Sequence, residues 1–137
     1  MQPDPVRLED TREWISKAAQ DLRRVHILSA ADPSDIEGVL FHAQQAAEKV
    51  LKAFLVWHDV PFRKTHGLED IGAQCASIDP TLANLIQRGE ALTVYAWRFR
   101  YPGAPYQPDL EEAKAAADLA ERVFEEIANR LPADTRP

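Results

Sequence analysis

Residues 33–57 carry apolar side chains at helical spacing, and this repeat limits the fold more than any other feature of the chain. Neighbouring residues of an α-helix are rotated by about 100°, so positions three and four apart share a face. The apolar positions are Ile36, Val39, Leu40, Ala43, Ala46, Ala47, Val50, Leu51 and Phe54. They cover nearly half of the circumference, which predicts a central helix. Asp32 and Pro33 supply an N-cap and a first-turn proline, so we expect this helix to begin there and end near Trp57.

Two further long helices carry capping signals at their starts. Asp10 is followed three residues later by Glu13, and Asp109 by Glu112. This spacing resembles the capping box, in which two side chains satisfy backbone amides at the helix start. Apolar residues follow both starts at helical intervals. We expect the first helix to run to about residue 31 and the last to about residue 131.

Proline divides the remainder of the chain. A short helix is predicted near 67–77, and Asp79 with Pro80 begins a fourth long helix that reaches about Phe99. The alternation typical of strands does not extend over a useful length. The predicted fold is therefore all-α, an up-and-down bundle of four long helices plus one short helix.

The length of 137 residues fits one domain, and a hydrophobic content of 45% is enough to build a core. We expect an N-terminal extension over 1–9, a helical bundle over 10–131 and a frayed tail over 132–137. The net charge of −6 gives no overall electrostatic attraction to nucleic acid or to an anionic membrane.

The cysteine content and the apolar runs indicate a cytoplasmic location. Cys75 is the one cysteine and cannot form an internal disulfide, so we interpret it as a small apolar residue. The longest strongly apolar stretch, residues 50–57, is far shorter than the roughly 20 residues of a membrane-spanning helix. We expect no membrane segment, no metal site and no cofactor, since the histidines and glycines lack the spacing of known ligand motifs.

The predicted central helix also carries a polar stripe. His42, Gln45, Lys49 and Lys52 project within about a quarter turn of one another, with Glu48 adjacent. One interpretation is a solvated face with an ordinary pair between Glu48 and Lys52. The other is a polar pocket or a dimer face.

Four stretches taken together resemble a known family. They are WISKAAQDL at 14–22, FHAQQAAEKVLKAFL at 41–55, KTHGL at 64–68 and YAWRFRYP at 95–102. The chain is similar to HEPN-domain proteins, small helical proteins often encoded beside minimal nucleotidyltransferases. The resemblance implies a bundle of four or five helices that is frequently homodimeric. It also implies nucleotide binding, RNA cleavage in toxin–antitoxin pairs, or partnership with a nucleotidyltransferase.

The ribonuclease branch of this family carries an Arg and a His separated by four to six residues, which supply a phosphate-stabilising cation and a proton shuttle. This chain departs from that pattern. No histidine stands at the corresponding positions after Arg98 or Arg100; Tyr106 falls within the interval from Arg100. Tyrosine, with a pKa of about 10, is a poor base at neutral pH. We therefore do not expect nuclease activity.

The main hypothesis is a non-catalytic HEPN module that dimerises and binds a nucleotide or a nucleotidyltransferase partner, as in a toxin–antitoxin-like pair. The candidate binding residues are His42, Gln45, Lys49, Lys52, Lys64, His66, Arg98, Arg100 and Tyr101. One alternative is a ribonuclease toxin with an atypical site, built from Arg98, Arg100, Tyr106 and His66, or with His42 supplying the histidine. Another is a purely structural dimerisation or adaptor domain. Trp14, Trp57 and Trp97 favour an interface, since they are more aromatic surface than a small bundle readily buries.

Overall fold

The computed structural model describes residues 4–62, 67–99, 102–103 and 107–137. These residues form five α-helices: α1 (Pro5–Ala30), α2 (Ile36–Trp57), α3 (Leu68–Ile78), α4 (Ala83–Gly89) and α5 (Leu110–Ala128). Three short 3-10 helices cover Pro80–Leu82, Glu90–Ala96 and Ala133–Thr135. The described part of the chain contains no strand, so the all-α prediction is confirmed.

Helix α2 lies at the centre, because α1, α3, α5 and the second 3-10 helix all pack against it. Eight of the nine predicted apolar positions are buried, and Ile36 at the first turn is half-buried. Burial extends beyond this face to Gln44, Glu48 and Lys52. A helix contacted on most sides has little surface left for solvent, which explains why its polar residues need internal partners.

Both of the first two helices begin elsewhere than predicted. Helix α1 begins at Pro5, where the Asp4 carboxylate accepts a hydrogen bond from the Val6 amide at 3.0 Å. Residues 5–9 therefore form the first turns of α1, because Asp4 supplies an N-cap and Pro5 a first-turn proline. The N-cap of α2 is Asp35, which accepts from Gly38, and not Asp32.

The prediction of a fourth long helix is wrong, since residues 80–96 are divided among a 3-10 helix, α4 and a second 3-10 helix. Gly89 stands at the second junction, and glycine costs about 1 kcal/mol in a helix interior. Residues three apart eclipse in a 3-10 helix, which keeps Leu92 and Tyr95 on one buried side. The segment is also tied to α3, because Thr93 Oγ1 accepts from the Leu68 amide at 3.3 Å.

The C-terminal residues are not frayed. Asp109 caps α5 as predicted, accepting from the Glu112 amide at 2.9 Å, but the α-helix ends at Ala128. The chain then folds back, and the following 3-10 helix buries Thr135 to 1% exposure. Arg12 on α1 donates to the Asp134 carbonyl at 2.7 Å. A hydrogen bond to the opposite end of the chain thus anchors the predicted tail.

Candidate functional site

The polar stripe of α2 faces α1 and meets one buried carboxylate. Asp21, with a side chain 2% exposed, lies on the inward face of α1. One of its oxygens is 2.7 Å from Nδ1 of His42, and the other is 2.5 Å from Nζ of Lys49. Arg24 approaches the same carboxylate at 3.3 Å. We call these four residues the Asp21 cluster. The cations of Lys49 and Arg24 compensate the Asp21 carboxylate, which would be costly to bury unpaired.

Sequence reasoning missed Asp21 as a member of this site. Its position gave a signal, because Asp21 stands directly before Leu22 and three residues after Ala18, two apolar residues that are buried on α1. An acidic residue within an apolar face needs a cation from the neighbouring helix. The stripe on the central helix supplies two partners, the Lys49 ammonium group and the His42 imidazole.

Lys52 also points inward. Its ammonium group lies 3.5 Å from Glu48, and 5.2 Å from the ring centroids of both Trp14 and Phe62. The predicted pair between Glu48 and Lys52 is present, yet it is buried rather than solvated. Gln45 is engaged as well, donating to Gln44 at 2.6 Å. The polar stripe therefore lies mainly in the packing interface between α1 and α2.

Five of the predicted site residues lie outside the described part of the chain. They are Lys64, His66, Arg100, Tyr101 and Tyr106. Among the described candidates, Arg98 stands apart from the stripe, just beyond the second 3-10 helix and half-buried.

Next to Arg98, aromatic side chains line a cavity of about 300 Å³ between the start of α2 and the second 3-10 helix. We call Phe41, Tyr95, Trp97 and Phe99 the aromatic groove. Trp97 is 58% exposed and Phe41 37%, unusually open for large apolar side chains. The rings of Tyr95 and Phe99 are stacked, with centroids 6.2 Å apart and planes within 9°. Asp35 and Glu37 add carboxylates at the edge.

The electrostatics keep Tyr95 protonated. Burial raises the pKa of its hydroxyl, and the Glu112 carboxylate, which is hydrogen-bonded to that hydroxyl, raises it further. Arg98 acts in the opposite direction and lowers the Tyr95 pKa. Flat rings beside a guanidinium can stack on a nucleobase and attract a phosphate.

Cys75 lies in the core and not in a reactive site. Burial raises the pKa of the Cys75 thiol to about 12, and its Sγ lies 3.5 Å from the Leu51 carbonyl. The thiol is thus protonated and enclosed, as expected of a small apolar residue. The described residues hold no cluster of histidine, cysteine and carboxylate side chains able to bind a metal ion.

No described helix combines the length and apolar character needed to cross a membrane. Among curated proteins and solved structures, none matches the chain significantly. The sequence does match the family model described as the HEPN domain, over residues 11–131. The match covers most of the chain and agrees with the observed helical fold, so this protein belongs to the HEPN-domain family.

Proposed function

We propose that this HEPN-domain protein is a non-catalytic module that binds a nucleotide in the aromatic groove. The observation that carries the proposal is Trp97, whose ring is 58% exposed on the wall of a 300 Å³ cavity. An exposed tryptophan is costly in water unless a partner covers it, and a nucleobase is a flat partner of suitable size.

Charge supports the same assignment. A molecule with net charge −6 repels a phosphate at long range, so binding requires a local cation. Arg98 follows Trp97 directly and provides a guanidinium near the groove. Stacking on Trp97 and a phosphate contact by Arg98 would share the affinity, since each alone is worth only a few kcal/mol.

The absence of catalysis is supported by the sequence after Arg98, where the family's ribonuclease histidine is replaced. We propose that the module instead acts with a protein partner, a minimal nucleotidyltransferase in a toxin–antitoxin-like pair, and that it forms a homodimer in the cytoplasm. Membership of the HEPN family supports this by analogy. Sedimentation at micromolar concentration tests the dimer: a single monomeric species would contradict it.

Tryptophan fluorescence tests nucleotide binding. We expect ATP to quench the emission of the wild-type protein and Trp97→Ala to weaken binding about tenfold or more, since base stacking is worth roughly 1–3 kcal/mol. Because Trp97→Ala removes the tryptophan whose emission reports binding in the groove, the affinities of the two proteins are compared by calorimetry. Ile27→Ala removes another exposed apolar side chain, 56% exposed on α1, and serves as the control. Equal affinity in both variants, or no binding by the wild type, would reject the groove as the site.

One observation favours a second candidate, a ribonuclease with an atypical site. Asp21 accepts a hydrogen bond from Nδ1 of His42, which leaves Nε2 as the basic nitrogen. The His42 side chain is 22% exposed, so water or RNA can reach it. A carboxylate that orients a histidine is a recurrent arrangement for general bases.

Incubation with total RNA separates the two functions. A ribonuclease would cleave RNA, lose this activity in His42→Gln and keep it in His26→Gln, a control histidine that is 66% exposed and paired with Glu121. The non-catalytic proposal predicts no cleavage by any of the three proteins. Cleavage that depends on His42 would overturn the non-catalytic proposal in favour of the ribonuclease.

A further inference from the structure

A second cavity, of about 200 Å³, lies between the first 3-10 helix, α4 and α5, away from the residues of the aromatic groove. Three arginines line it, Arg88 from α4 and Arg122 and Arg130 from the region of α5. Among the described residues of the lining, Glu126 is the one carboxylate. In an acidic protein, this concentration of guanidinium groups is a local reversal of charge.

Arg130 is committed to internal contacts. Its Nε donates to Asp79 at 2.8 Å, and its other nitrogens reach Glu126 at 2.9 Å and Thr81 at 3.1 Å. These bonds fix the guanidinium between two carboxylates, so Arg130 is not available as a further cation for a ligand. Hydrogen bonds from Thr81 and Arg130 hold the pKa of Asp79 below its usual range, so this carboxylate keeps its charge as Arg130's partner.

Arg88 and Arg122 differ from Arg130. Both are exposed on the rim, and neither has a hydrogen-bond or ion-pair partner within the described ranges. Glu126, the carboxylate that lines the cavity with them, is already held by Arg130 at 2.9 Å. Asn84, also in the lining, adds an amide that can donate.

We propose that this pocket binds a phosphate group between Arg88 and Arg122, with Arg130 forming the fixed wall. Guanidinium groups bind phosphate oxygens through two parallel N–H donors, and two such groups from different helices surround a tetrahedral anion. The cavity is below the roughly 300–1,000 Å³ of typical small-molecule sites, which fits a phosphate group and excludes enclosure of a whole nucleotide. The site is independent of the proposed base-stacking groove.

The phosphate could be inorganic or the terminal phosphate of a nucleotide, and NMR titration distinguishes the sources. At constant ionic strength, we expect sodium phosphate to shift the Asn84 side-chain amide and the Arg88 and Arg122 Nε–H signals with saturation. If AMP produces the same shifts and adenosine does not, the site accepts nucleotide phosphates. If AMP leaves these signals unchanged, the ligand is free phosphate.

The double variant Arg88→Gln with Arg122→Gln should weaken phosphate binding about tenfold or more, because it removes two charge-assisted contacts. Arg23→Gln is the matched control, since Arg23 is exposed on α1 and does not line the cavity. Circular dichroism verifies the fold of both variants. Trp97→Ala should leave phosphate binding unchanged, so a failure of the groove would not count against this site. Equal phosphate affinity in the double variant and the control, or shifts without saturation, would overturn the proposal.

Discussion

The Asp21 cluster and the aromatic groove contrast in how their side chains are used. In the cluster, buried Asp21 contacts half-buried His42 and Lys49 across α1 and α2, and exposed Arg24 on its own helix. In the groove, Trp97 and Phe41 are exposed to solvent beside a cavity. Residue polarity alone would have assigned the opposite roles. Availability for a ligand depends on whether the fold has already supplied a partner, and of these two regions it is the groove whose large apolar side chains remain uncovered.

The largest expected effect is that of Asp21→Ala on stability. The substitution leaves Lys49, His42 and Arg24 facing a cavity without their carboxylate, and we expect a loss of about 3 kcal/mol in the free energy of unfolding. Urea denaturation measures it. Asp118→Ala, at an exposed position of α5, should change the stability by less than about 0.5 kcal/mol. Similar values for both variants would mean that the cluster is not structural.

A smaller loss, of about 2 kcal/mol, is expected for Lys52→Ala. This variant removes the contacts of the ammonium group with Trp14 and Phe62 and its ion pair with buried Glu48. Lys17→Ala, on the exposed side of α1, is the control. If Lys52 instead acted as an open ligand-binding residue, its replacement would weaken nucleotide binding while leaving the thermal midpoint unchanged.

Phe41 connects the two regions, since its ring lies 5.2 Å from His42 at an angle of 81° while also lining the groove. Phe41→Ala should cost about 1 kcal/mol of stability, the scale of one edge-to-face pair, and also weaken ATP binding. A double-mutant cycle with Asp21→Ala measures the coupling. Strict additivity would show that the groove and the cluster are energetically separate.

The smallest effect on stability is expected for Trp97→Ala. A ring that is 58% exposed contributes little to the core, so the unfolding free energy should change by less than about 0.5 kcal/mol. The same variant has the largest expected effect on nucleotide affinity. A destabilisation above about 2 kcal/mol would show instead that Trp97 is a structural residue and would remove the contrast between the regions.

The helical periodicity of α2 and the capping signal at Asp109 were sufficient to predict that these two helices exist, although α2 begins after Asp35 and α5 ends at Ala128. The start of α1 was wrong because Asp4 and Asp10 carry equivalent local signals, and capping propensity does not choose between them. The fourth helix was wrong because its breaks follow from packing of the second 3-10 helix on α2 and α3. The anchored C-terminus depends on Arg12, more than 120 residues away in sequence.

The candidate site was predicted only in part. His42 and Lys49 were identified from their shared helix face, but a helical projection of one segment does not show which other helix packs against that face. Asp21 supplies it from another helix. The groove was not predicted as a unit, because Phe41 and Trp97 are 56 positions apart and their proximity results from how the second 3-10 helix packs on α2.

By itself, the sequence determined the helical class, the central helix and the family, because periodicity, capping residues and ordered motifs are local properties of a chain. Tertiary structure decided which side chains remain available. Burial and charge pairing depend on contacts between distant segments. Such contacts place the polar stripe in the interface between α1 and α2 and leave Trp97, Arg88 and Arg122 facing solvent.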